Sequence, residues 1–186
     1  PNLKRMISLI GRFFFIFRRM NNKISTLIFD CFGVVCAPVL YSWYNENSQK
    51  HGFKDDNLAS VLKQFDLDEI GEEGILDYFL SYPGINLTKE DLRNEIDSYL
   101  QIDENLVDTI KKLKAKGHKV ALLSNGNHGF FERKIYPTYP EFKGLFDEIV
   151  ISSLVKMVKP DAEIYLHTLK LVNSTPQESL FIDDNQ

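Results

Sequence analysis

Four short stretches end apolar runs on residues that can do chemistry. "STLIFD" closes on Asp30, "VALLSN" on Ser124 and Asn125, "KMVKP" carries Lys159, and "LFIDD" closes on Asp183 and Asp184. Each apolar run has the length and β-branched content of a buried strand or lies just beyond one. Taken singly, every one of these residues has a plain reading. Asp30 can cap a turn, Ser124 can start a helix, Lys159 can be a solvated charge, and a paired aspartate before asparagine can simply turn the chain. Taken together they are a carboxylate, a hydroxyl, an ammonium and a carboxylate pair. In an open parallel sheet the carboxyl ends of the strands share one rim, where ligands bind. Three carboxylates gathered there repel one another unless a cation joins them, and an all-oxygen donor set points to a hard ion such as Mg²⁺. Lys159 and Ser124 would then face an anionic group bound against that ion. A carboxylate nucleophile, a divalent metal and a lysine fit phosphoryl transfer through an aspartyl-phosphate.

The elements that must position these residues follow from periodicity. After the first strand the pattern turns helical. Leu58, Val61, Leu62 and Phe65 form one amphipathic stripe, Ile75, Leu76, Phe79 and Leu80 a second. "TKED" at 88–91 reads as a capping box opening a third helix with Leu92, Ile96, Tyr99 and Leu100 inside. Trp43 and Tyr44 read as part of the core of this helical block, which spans 38–100. From about residue 103 helix and strand alternate: "DENLVDTIKKLKAKG" is a helix closed by Gly117, "HKVALLS" a strand, "DEIVIS" another. "KPDAEIYLHTLKLV" is a helix with Pro160 in its first turn, and "ESLFIDD" is the last strand. Such alternation implies a parallel sheet with helices on both faces. The fold class is therefore α/β, a Rossmann-like core over 20–37 and 101–186 with an all-helical insert over 38–100.

Composition narrows the function class. A chain of 186 residues with 44% hydrophobic and 26% charged residues is long enough for one ordinary core. Its net charge of −4 argues against nucleic-acid binding. The run "KKLKAKGHK" reads as the exposed face of one helix, and His128 as a solvated residue at a helix start. Two cysteines, Cys31 and Cys36, read as a reduced pair of a cytoplasmic protein rather than a disulfide scaffold, and the sequons at Asn86 and Asn173 carry no weight there. Residues 1–19 read as an extension outside the fold, with Met20 as the start. Their apolar run is too short to span a bilayer, so no membrane role is expected. The last strand has no helix to cover it, which reads as a core truncated at its C-terminal end.

The order of the four motifs resembles the haloacid dehalogenase (HAD) superfamily, in the subgroup with a helical cap inserted after the first motif. "LIFDCFGVV" is similar to its first motif, "LLSNG" to the second, "KMVKPDAEIY" to the third and "LFIDDN" to the fourth, over residues 24–186. The stretch from "YPEFKGLFDEIVISS" through "KPDAEIY" looks particularly like small bacterial sugar-phosphate phosphatases. The resemblance implies that Asp30 is the nucleophile and a metal ligand, that the backbone carbonyl of Phe32 also reaches the metal, and that Asp183 and Asp184 bind Mg²⁺. It implies that Ser124, with Asn125 behind it, binds the phosphoryl oxygens and that Lys159 holds nucleophile and phosphoryl charge together. The expected substrate is a small phosphorylated metabolite. One position departs from the pattern. Most phosphatases of the superfamily carry a second aspartate two residues after the nucleophile as general acid, and here that residue is Phe32. An aromatic there is similar to the 2-haloacid dehalogenases, which need no metal and usually lack the aspartate pair. The competing readings are thus a dehalogenase working through an aspartyl ester, and a non-catalytic protein that binds a ligand or partner.

Overall fold

The computed structural model describes residues 24–184. The reading of 1–19 as an extension falls outside them. Strand β1 (Thr26–Phe29) pairs in parallel with β2 (Lys119–Ser124) on one side and β4 (Ser179–Ile182) on the other, and β2 pairs in parallel with β3 (Glu148–Ile151). The order is β3-β2-β1-β4. The strands read as near-continuous apolar runs because both faces are covered. Successive side chains point to opposite faces: Leu27, Phe29, Val120 and Leu122 enter one apolar cluster, while Ile28, Ala121, Leu123 and Val150 enter another. Helix α5 (Glu104–Ala115), the helical segment α6 over 128–138 and the short α7 (Phe142–Leu145) serve the first face. Helix α9 (Ala162–Leu171) serves the second through Ile164 and Leu169.

Between β1 and α5 the chain forms α1 (Val39–His51), α2 (Leu58–Asp66), α3 (Glu72–Leu80) and α4 (Lys89–Ser98). Most of each stripe read from the sequence is buried: Leu58, Leu62 and Phe65 on α2, Ile75, Leu76 and Phe79 on α3, Leu92 and Ile96 on α4. Val61, Leu80 and Tyr99 are only half-buried, and α4 ends at Ser98, so Tyr99 and Leu100 lie just past it rather than inside it. Trp43 is fully buried, its ring stacked on Phe79 with centroids 4.8 Å apart. Tyr44 accepts a hydrogen bond from the Asp55 N–H through its hydroxyl. Thr88 caps α4 by accepting from the Asp91 N–H, and Asp103 caps α5 by accepting from Asn105 and Leu106. The chain leaves and re-enters the sheet side through two adjacent strands of loop. Ala37 N–H donates to the Gln101 carbonyl, and Asp103 N–H donates to that of Val35.

Two local readings are corrected. Pro160 does not lie in the first turn of α9. Val158 C=O accepts from Asp161 N–H, closing a tight turn with Lys159 and Pro160 at its centre, joined by a cis peptide bond, and the helix starts only at Ala162. "DEIVIS" gives a strand that stops at Ile151, because Ser152 opens the short helix α8 (Ser152–Val155). Among the described residues no helix is long and apolar enough to cross a membrane.

Candidate active site

β1 runs between its two partners, and the backbone of Asp30 is still tied to the sheet by its N–H bond to the Ile182 carbonyl. The carboxylate is therefore held at the rim, only 4% of the residue exposed, accepting a hydrogen bond from the Cys31 N–H at 2.7 Å. Cys31 then starts a tight loop in which its carbonyl accepts from Val35 and Cys36. Gly33 sits in this loop at φ +94°, a conformation costly for a side-chain-bearing residue. A Cβ there would also lie 2.3 Å from Asp184 Oδ2, so glycine is what lets the Asp184 carboxylate approach.

At the end of β4, Asp183 and Asp184 meet Asp30. One carboxylate oxygen from each of the three lies within 4.8 Å of the others. Lys159 reaches in from the turn after α8, with Nζ 2.8 Å from Asp30 Oδ1 and 2.8 Å from Asp183 Oδ2. Burial raises the Asp30 carboxyl to about 6, against the pull of Lys159, with Asp183 pushing in the same direction as burial. Asp184 is also raised, by burial and then by Asp183. Burial pulls the Lys159 ammonium down, but Asp30 and Asp183 outweigh it and raise its pKa, so it stays charged. One ammonium against three carboxylates leaves an excess of negative charge. The donor set is hard and all-oxygen, and the oxygens are close enough to surround one ion. These residues fit a divalent cation.

The second-motif residues are placed less simply. Ser124 is fully buried, its hydroxyl against the Asn125 carbonyl at 3.2 Å, and it does not line the cavity described below. Asn125 lines it, but its side-chain amide is engaged: Oδ1 accepts from Lys159 N–H at 2.8 Å and Nδ2 donates to Lys159 C=O at 3.0 Å. Asn125 thus grips the backbone that carries the ammonium. Phe32 packs its ring against Phe130 and Phe131, with centroids 6.1 and 5.8 Å away. Its backbone lies in the Asp30 loop, one residue before Gly33. His128 does not line the cavity; its backbone N–H donates to Ser153 Oγ. Cys31 and Cys36 are free thiols, both buried, with sulfurs 3.5 Å apart, and burial pushes the Cys31 thiol up, away from the reactive thiolate.

The rim opens into a cavity of about 700 Å³ between the sheet and the helical block. Phe32, Leu62, Phe65, Ile75, Leu76 and Phe130 supply much of its wall. Its far side carries a charged knot the sequence reading missed. Arg133 holds Asp97 through Nη1 and Nη2, at 2.6 and 2.9 Å, and Glu72 through Nε at 2.9 Å. Asp66, also missed, lines the cavity from the end of α2. A signal was available: residues 58, 62 and 66 are spaced by four, so Asp66 falls on the buried stripe of its helix.

The sequence profile of the haloacid dehalogenase-like hydrolases matches residues 24–186, and the chain belongs to that family. It is 27% identical to an (S)-2-haloacid dehalogenase of Pseudomonas fluorescens over 130 residues, covering 69% of this chain and 56% of that enzyme. It is 25% identical to the pyrophosphatase PpaX of Bacillus cereus over 173 residues, covering 88% and 76%. The chain thus spans little more than half the length of the dehalogenase it matches. Among solved structures, a variant of a HAD family enzyme from Bacteroides thetaiotaomicron, in complex with magnesium and inorganic phosphate, is 26% identical with a TM-score of 0.66, covering 88% of this chain and 86% of that one.

Proposed function

We propose that the chain is a Mg²⁺-dependent hydrolase of small phosphorylated compounds, working through an aspartyl-phosphate on Asp30, with residues 38–100 as its cap. The observation that carries this reading is the convergence of Asp183 and Asp184 on Asp30, within 4.8 Å. A metal-free ester mechanism has no use for two further carboxylates beside its nucleophile, since they repel an anionic substrate and Asp183 adds to the burial that raises the Asp30 carboxyl. Asp30, Asp183 and Asp184, with the Phe32 carbonyl, would hold Mg²⁺, which when bound supplies positive charge against the phosphoryl oxygens.

The chain's own residues do the rest. Lys159 keeps the attacking Asp30 oxygen oriented and offsets the charge of the incoming phosphoryl group. Asn125 fixes the Lys159 backbone. Ser124 sits behind that pair, and its assignment as a phosphoryl contact requires its hydroxyl to turn away from the Asn125 carbonyl when substrate binds. The buried free thiols fit a cytoplasmic setting.

Phe32 supports a second reading, the 2-haloacid dehalogenase, because it extends an apolar wall right up to the nucleophile. Phosphate and halide release separate the two, measured with and without Mg²⁺ on phosphomonoesters and short 2-haloacids, with Asp30→Asn as the blank. The phosphatase reading expects phosphate release that needs Mg²⁺ and disappears in the blank. Metal-independent halide release would replace it with the dehalogenase.

A further inference from the structure

We propose that Asp66, carried on α2 of the helical block, is the proton donor to the leaving group, supplying from the cap the acid that Phe32 does not provide. The proposal rests on the phosphatase reading above. Transfer of a phosphoryl group from an alkyl ester to Asp30 expels an alkoxide, a poor leaving group unless it is protonated as the bond breaks. The loop after Asp30 has no acid to offer. Phe32 is also fixed: its ring is wedged against Phe130 and Phe131, and a Cβ at Gly126 would come within 2.9 Å of it.

The cavity walls then leave one carboxyl by elimination. Asp30, Asp183 and Asp184 converge on each other, and Lys159 binds the first two. Glu72 and Asp97 are both engaged by the Arg133 guanidinium. The remaining lining carboxyl is Asp66, whose side chain makes no hydrogen bond or ion pair among the described residues. The phenols Tyr41 and Tyr165 also line the wall, but burial raises both, making them weaker acids than usual.

Asp66 is also held in place. Its carbonyl accepts from Ser152 Oγ at 2.6 Å, and the loop that follows is gripped by Asn127 and Lys156 through Asp68, both at 3.0 Å. All three holding residues come from the sheet side, so the end of α2 is pinned to the rim that presents Asp30. Burial pushes the Asp66 carboxyl up to about 7, with Lys159 pulling it down and Asp30 adding to the rise. An acid in that range is well matched to donating a proton near neutral pH and taking one back.

The chemistry balances. An Asp30 oxygen bonds to phosphorus while the bond from phosphorus to the ester oxygen breaks. The electron pair stays on that oxygen, which takes the Asp66 proton and leaves as the alcohol. Asp66, now a carboxylate, accepts a proton from the water that attacks the aspartyl-phosphate. The bond from phosphorus to Asp30 then breaks, phosphate departs and both aspartates are restored.

The test is a leaving-group series with the full-length protein and Mg²⁺, comparing wild type, Asp66→Asn and Asp66→Glu on p-nitrophenyl phosphate, phenyl phosphate and butyl phosphate. Asp66→Asn should lose about 10²–10⁴ in kcat/KM on butyl phosphate but no more than about tenfold on p-nitrophenyl phosphate, whose anion leaves unprotonated. Asp66→Glu should recover part of the butyl phosphate rate. Residual p-nitrophenyl phosphatase activity in Asp66→Asn also shows that the variant is folded. Equal losses on all three esters, or none on any, would overturn the proposal while leaving the phosphatase reading intact. A wild type that releases phosphate from no ester would overturn both.

Discussion

Lys159 holds two carboxylates with one ammonium, and Asn125 in turn holds Lys159. That dependence makes Asn125 a positioning residue, and it gives a prediction at the scale of a single side chain. Asn125→Ala removes an acceptor from the Lys159 N–H and a donor from its C=O, leaving both without the partners they have at 2.8 and 3.0 Å. Loss of stability of about 1–3 kcal/mol is expected from the stranded backbone groups. Phosphate release should fall further than stability alone explains, because the ammonium is no longer aimed at Asp30. Chemical denaturation and kcat on the same preparation check the two halves separately, and a stable, fully active variant would remove Asn125 from the site. The role could not be read from "LLSNG", since the partner lies 34 residues further along the chain. What the motif did reveal was its position at a strand end. The reach of the amide depends on how the turn at Lys159 and Pro160 folds back toward it.

At the scale of elements, the helical block is fastened to the sheet at the end of α2 by Asn127, Ser152 and Lys156. These contacts are unequal. Lys156 is more than half exposed, so its pair with Asp68 is weakened by water and salt, whereas Asn127 and Ser152 are buried. Lys156→Met should therefore change stability by less than about 0.5 kcal/mol, while Asn127→Ala should cost about 1–2 kcal/mol by leaving the Asp68 side chain and the Phe65 carbonyl short of a donor. Thermal melts of the two variants decide it, and equal shifts would refute this ordering. The helices themselves were legible because α2, α3 and α4 each bury one stripe, and burial of a stripe is what periodicity records. Less legible was the segment over 128–138, which winds as a π turn at Phe131–Ile135 between α-helical ends. Nothing in the residue types distinguishes that winding from ordinary α. The start of α9 was misplaced for a related reason: proline suits a first turn, and only the tertiary grip on Lys159 places it in the preceding turn instead.

Across the whole molecule, the strand and helix alternation gave away the parallel sheet, and the sheet in turn brings residues 30, 159, 183 and 184 to one rim. Asp66 and the Arg133 knot stayed hidden, because their meaning arises only when the block folds over that rim. The same assembly ties stability to pH and, on the proposed reading, to the metal as well. Asp30 has its carboxyl raised from 3.8 to about 6, and Asp66 from 3.8 to about 7. A raised carboxyl binds its proton more tightly when folded, so its contribution is complete below the unfolded value and is lost as pH climbs through the folded one. For Asp30 the shift corresponds to about 3 kcal/mol. Asp68, lowered by Lys156 and then Asn127, acts with the opposite sign, but only as pH falls through the ordinary carboxylate range. The metal-free protein should therefore melt at lower temperature at pH 8 than at pH 5. Mg²⁺ needs the ionised carboxylates, so its stabilisation should be small at pH 5 and grow through the same window, reaching about 2.7 kcal/mol at pH 8 with the ion at a hundred times its Kd. Thermal melts at both pH values, with Mg²⁺ and with a chelator, measure this directly. An Asp183→Asn variant should lose most of the Mg²⁺-dependent shift at pH 8. A shift of equal size at both pH values, or one that survives in that variant, would mean that the ion binds elsewhere and that the three carboxylates at the rim are not its site.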